Sequence, residues 1–392
     1  MDTLQDIWNA VGGLLVVILV FEAVPNLWKR LSRRVRHGRA GKPDYRALAD
    51  AYNGADWPVP YFVDIWNARI DWAPHVGGKL RPFSSTHFNI GDGGRRRTWN
   101  ARSDNREEGA LKIFAFGGST MLGIGARDEW TVPSLLAKKL TEAGWRVEVV
   151  NFGQPGYTAS QSFIGFTEEL TRGNVPTMAI FLDGLNEVIP AEQSGQAGMV
   201  FNSDKRSDEF NLLQPWRRGD LLRHALQAVL VRTMRRYRVL EELLNTRAKP
   251  PSQSNMLSPE KIEPLSREVV AHYINTLKFI RAIADANGVA TLFFWQPSLF
   301  TKRHLSNHEA RYQNDGAPVP ELRAPLFRTI YETLKSDSDF RSMPGAVDIS
   351  GLFDESPEPY FIDPFHLVEK GTDVVADAML PHVVQILKER TG

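Results

Sequence analysis

The stretch Lys112–Gly125, KIFAFGGSTMLGIG, is an apolar run that stops at two glycines followed by a serine and a threonine. An apolar run without polar alternation reads as a strand buried on both faces, and the glycines mark the turn after it. Four later segments repeat the pattern: VEVVNFG from Val147, MAIFLDG from Met178, ATLFFWQP from Ala290 and AVDISGLF from Ala346. Helical spacing fills the intervals over 132–143, 159–172, 258–286, 320–335 and 372–388. Such alternation predicts an α/β fold, a doubly wound, flavodoxin-like, five-stranded parallel sheet with helices on both faces.

Outward from this core, the domain is expected over 111–390, with a helical insertion at about 190–257 because the third and fourth strands lie much farther apart than one crossover requires. Within the insertion Leu222, Leu226, Val229, Leu230, Tyr237, Leu240 and Leu244 keep helical spacing. Arg223, Arg232, Arg235, Arg236 and Arg238 make that helix basic. It reads as a packed helix with a solvated basic face, or as a lid or membrane-surface element. The segment 43–110 is rich in Trp, Tyr, Pro, Gly and Arg without a sustained period, and is expected to be an irregular preface packed on the main domain.

Residues 1–42 read as a membrane anchor with a basic juxtamembrane segment. Ile7–Trp28 has about the twenty residues that a bilayer core needs, although it contains Asn9, Glu22 and Pro25. Asp2 and Asp6 precede it and the basic residues follow it, the reverse of a signal peptide, so an uncleaved transmembrane helix is expected. Lys29–Lys42 carries seven Lys/Arg and no acid, a flank that favours the cytoplasmic side or contacts anionic lipid.

Composition excludes several functions. The 392-residue chain is 42% hydrophobic and 24% charged, as globular proteins are. A net charge of +1 gives no basis for a nucleic-acid partner. With no cysteine there can be no disulfide, thiolate metal site or cysteine nucleophile.

Ligands of a parallel α/β sheet bind beyond the carboxyl ends of its strands. The first strand ends in Gly117, Gly118, Ser119 and Thr120, the second runs into NFGQPGYT with Gly153 and Gly156, and the third into DGLNE with Asn186. After the fifth, YFIDPFHL places Asp363 three residues before His366. The first loop lacks the lysine of a phosphate-binding P-loop and the third glycine of a dinucleotide fingerprint, and Met121 replaces the second glycine of a nucleophile elbow. A serine nucleophile in a different frame needs a base, an acid to orient it and oxyanion donors. His366 and Asp363 can supply the first two, and the amides of Ser119 and Gly156 with the Asn186 side chain the third, Gly153 being the alternative to Gly156.

With these residues assembled, the chain resembles the SGNH (GDSL-type) hydrolase family through four blocks in the family's order: FGGST, NFGQPGYT, DGLNE and DPFHL. The resemblance spans roughly Lys112 to Lys388. It implies an SGNH hydrolase fold in which Ser119 is the nucleophile, Gly156 and Asn186 donate to the oxyanion, and Asp363 and His366 are acid and base. Two departures stand out: Gly118 replaces the aspartate of G-D-S, and Glu187 the aspartate after the key asparagine.

The implied reaction is ester hydrolysis through an acyl-enzyme on a small-molecule, lipid or saccharide ester, without a cofactor. Acyl transfer to a polysaccharide hydroxyl could use the same apparatus, and a non-catalytic binding or assembly protein could keep the fold. A competing metal site, His304 and His308 in HLSNHE, lacks a third ligand, and the segment is expected to be a surface loop.

Overall fold

A computed structural model describes residues 44–101, 109–203, 206–207, 210, 258–314 and 323–391. The apolar segment Ile7–Trp28, the cation run Lys29–Lys42 and the arginine-rich stretch from Leu222 to Leu244 lie outside the described residues. Among the described residues no helix is long and apolar enough to cross a membrane. The chain forms two compact units, Met1–Leu48 and Ala49–Gly392. The described part of the first holds a 3-10 turn, Tyr45–Leu48.

In the second unit, helix α1 (Pro58–Asn67) opens with proline at its first position, where the missing N–H costs no hydrogen bond. It introduces regular structure into a segment expected to be irregular. A two-residue antiparallel pair follows, β1 (Ile70–Asp71) with β2 (Lys79–Leu80).

The main sheet is built from β3 (Leu111–Gly117), β4 (Val147–Asn151), β5 (Met178–Asp183), β6 (Ala290–Trp295) and β7 (Ala346–Asp348). All neighbours are parallel and the order is β4-β3-β5-β6-β7, the flavodoxin-like winding expected from the sequence. Burial follows position. Central β5 is buried at every residue, whereas edge strand β4 alternates buried and half-buried. The last strand is shorter than expected and stops at Asp348, so Asp363 and His366 sit in a long loop rather than directly at a strand end.

Two apolar layers cover the sheet. On one face Ile113, Ala115, Ile180, Leu182, Leu292 and Phe294 meet helices α3 (Val132–Glu142) and α9 (Glu369–Thr391). On the other, Phe114, Phe116, Phe181, Phe293 and Trp295 meet α4 (Ala159–Thr171), α5 (Leu185–Ser194), α6 (Pro259–Ala286) and α8 (Arg323–Ser336). Phe116, Phe181 and Phe293 are register partners across three strands and their rings stack at centroid separations of 5.3 and 5.4 Å. A one-residue slip would turn this ladder to the opposite face, so it fixes which strand ends lie side by side.

The winding direction reverses between β3 and β5, opening a crevice at their carboxyl ends. Ser119 follows one of these strands and Asn186 the other.

Candidate active site

Ser119 is the first residue of a one-turn helix, α2 (Ser119–Leu122). At that position its N–H has no intrahelical acceptor. Gly118 lies close to Asn186: a Cβ there would meet the Asn186 amide nitrogen at the end of its side chain, so the bare glycine leaves the amide in place.

The segment carrying Asp363 and His366 is a tight excursion. Ile362 N–H donates to His366 O at 2.9 Å and Val368 N–H to Tyr360 O at 2.9 Å, closing the loop around Asp363. Asp363 Oδ1 accepts the N–H groups of Phe365 and His366 at 2.9 and 2.8 Å, and Oδ2 lies 2.7 Å from His366 Nδ1. A carboxylate only accepts, so Nδ1 carries the proton and Nε2 of the neutral ring is an acceptor. Ser119 Oγ stands 2.8 Å from that Nε2 and donates to it. All three side chains are at least four-fifths buried. The structure thus brings together Ser119, His366 and Asp363, from opposite ends of the domain, in an unbroken hydrogen-bond chain.

Asn186, in the first turn of α5, donates its side-chain N–H to Tyr157 O at 2.8 Å, next to Gly156. The Gly156 N–H has no acceptor among the described residues. The alternative donor is already committed: Gly153 N–H donates to Asn151 Oδ1 at 2.9 Å, and the absent Gly153 side chain makes room for the backbone of Leu122. Gly156 rather than Gly153 therefore has an amide to offer. The insertion comes near it: a Cβ built on Gly156 would lie 3.8 Å from the Phe201 side chain.

Other groups near the site had no role assigned to them from the sequence. Asn151 donates to Met121 O at 3.0 Å, tying β4 to the serine helix. Glu187 is buried and its Oε1 accepts the Ala159 N–H at 2.7 Å, joining the turn of Asn186 to the start of α4. Burial pushes its carboxyl up to about 7. Asp183, at the end of β5, is pushed well above the carboxylate range by burial and then by Glu187, and neither of its oxygens has a partner among the described residues. The only sequence signal was the acidic pair within DGLNE. Thr120 is buried beside the serine.

The HLSNHE segment departs from its expected surface loop. His308 lies in helix α7 (Asn307–Asn314), is buried, and places Nε2 3.2 Å from Ile362 O, whereas His304 stays exposed. Hydrogen bonds of His308, Glu309 and Tyr312 to the backbone of Tyr360, Phe361 and Ile362 hold α7 against the loop before Asp363 and take His308 inside. Among the described residues no group of three His, Asp or Glu could hold a metal.

No protein-family model matches the chain, and no curated protein matches it. Solved structures similar to it include a member of the lipolytic protein G-D-S-L family from Veillonella parvula DSM 2008, at 11% identity and TM-score 0.36, covering 69% of this chain and 97% of that one. An acetyl xylan esterase is similar at 13% identity and TM-score 0.35, over 70% of this chain and 100% of the other. A variant of an acetyl-xylooligosaccharide esterase from Geobacillus Stearmophilus is similar at 15% identity and TM-score 0.37, over 70% and 94%. The chemistry available to this chain follows from its own residues.

Proposed function

We propose that the chain is a serine-dependent ester hydrolase of the SGNH type working through an acyl-enzyme. The observation that carries this reading is the Ser119 Oγ to His366 Nε2 separation of 2.8 Å, with the ring held on its far side by Asp363. Ser119 Oγ attacks the ester carbonyl while His366 takes its proton, and the imidazolium then protonates the departing alcohol oxygen. The amides of Ser119 and Gly156 and the Asn186 side chain receive the oxyanion. Water, deprotonated by His366, releases the acid and restores the serine.

The substrate class is a small-molecule, lipid or saccharide ester. A sugar hydroxyl in the place of water would make the same cycle an O-acyl transfer, and product analysis separates the two. In this reading the apolar segment Ile7–Trp28 would anchor the domain in a membrane; its basic flank favours the cytoplasmic side, whereas the family resemblance also allows the extracytoplasmic one. Steady-state hydrolysis of p-nitrophenyl acetate tests the reading. Turnover that disappears in Ser119→Ala is expected, and turnover that survives that substitution would overturn it.

A further inference from the structure

Arg96 lies outside every block of site residues, yet it is only 2% exposed and all three guanidinium nitrogens are engaged. Nη1 donates to Leu122 O at 2.9 Å and to Gly123 O at 2.6 Å. Nη2 donates to Ala126 O at 2.7 Å and more weakly to His87 O at 3.5 Å, and Nε to Asp128 Oδ1 at 3.0 Å. Leu122 and Gly123 end the single turn that begins at Ser119, where a helix leaves carbonyls without partners and favours a cation. A planar fork can gather several carbonyls that one ammonium cannot.

The loop thus held has the His366 segment on its other side. Gly125 packs so closely on Leu367 O that a Cβ would not fit. Arg127 makes a two-pronged ion pair with Glu369, at 2.6 and 2.8 Å, three residues beyond His366. Tyr61 joins Arg96 from α1: its hydroxyl donates to Gly123 O and accepts the Gly125 N–H, both at 3.1 Å. Residues 122–127 are therefore clamped between Arg96 and Tyr61 on one side and the acid–base segment on the other.

We propose that Arg96 is a positioning residue of the hydrolase, setting the approach of Ser119 to His366 by holding the loop from Leu122 to Ala126. The segment before β3 then acts on the reaction without touching substrate. The inference rests on the reading of Ser119 as nucleophile.

The test compares Arg96→Lys with the full-length wild type, by melting temperature and by kcat and KM on p-nitrophenyl acetate, with rates expressed per folded molecule. Folded Arg96→Lys is expected to lose about a hundredfold in kcat, the cost of a displacement of about 1 Å, at unchanged KM. Guanidinium ion should restore part of the rate to Arg96→Ala. Tyr61→Phe, which deletes one hydroxyl with its two hydrogen bonds and keeps the ring, should lose about thirtyfold in kcat, the worth of two hydrogen bonds, and it decides the matter should the Arg96 variants not fold. Variants that melt earlier but keep wild-type kcat would overturn the proposal alone. A folded wild type without Ser119-dependent turnover would overturn the esterase reading, and this one with it.

Discussion

Asn186 donates to the carbonyl oxygen of Tyr157 at 2.8 Å, so the two loops proposed to supply oxyanion donors are held to each other before any substrate arrives. One N–H of the amide orients it and the other is left for the reaction. Asn186→Ala should therefore lower kcat by about 10²–10³ with little change in KM, as loss of one oxyanion donor does. Steady-state kinetics on p-nitrophenyl acetate check this, and a loss confined to KM would contradict it.

Asp363 engages both the ring of His366 and the backbone of its own loop. In Asp363→Asn the oxygen can keep the N–H groups of Phe365 and His366, but the amide NH₂ then faces Nδ1 and forces the proton onto Nε2. That tautomer cannot accept from Ser119. A fall in kcat of about 10⁴ is expected with an unchanged melting temperature.

Glu187 gives stability a dependence on pH. Its carboxyl sits near 4.5 when exposed and about 7 in the fold, so between those values the folded state holds the extra proton. Stability is then full below the lower value and falls as pH rises through the upper one. Glu187→Gln keeps an acceptor for the Ala159 N–H and carries no charge. Urea unfolding should find the variant more stable than the wild type at pH 8 and the gap smaller at pH 5; an equal gap at both would contradict the assignment.

Lys302 and Glu309 form an ion pair at 2.6 Å with no side-chain exposure on either partner. Glu309 also accepts the N–H groups of Tyr360 and Phe361, just ahead of Asp363. Lys302→Met would leave a buried carboxylate unpaired at the base of the acid–base loop. A destabilisation of about 3–5 kcal/mol in chemical unfolding is expected.

The sheet was legible because each strand announces itself as an apolar run and each crossover as a 3.6-residue pattern. The four blocks of site residues could be read because parallel strands deliver their chemistry at one edge. Three things escaped. The length of β7 depended on pairing with β6, which reaches only Asp348, while the rest of AVDISGLF turns away. His308 looked like a surface residue because its segment is polar, and only contact with the Ile362 loop buries it. Arg96 was invisible for a different reason. All its partners but Asp128 are backbone carbonyls, which carry no sequence signature, so a buried arginine in an aperiodic segment resembles a solvated one.

The most direct measurement is intact-mass analysis of the folded full-length protein after treatment with a fluorophosphonate, followed by mapping of the adduct. A single phosphonyl group on Ser119 is expected, absent from Ser119→Ala and formed far more slowly in His366→Ala. An unlabelled wild type, or an adduct that persists in Ser119→Ala, would contradict the account.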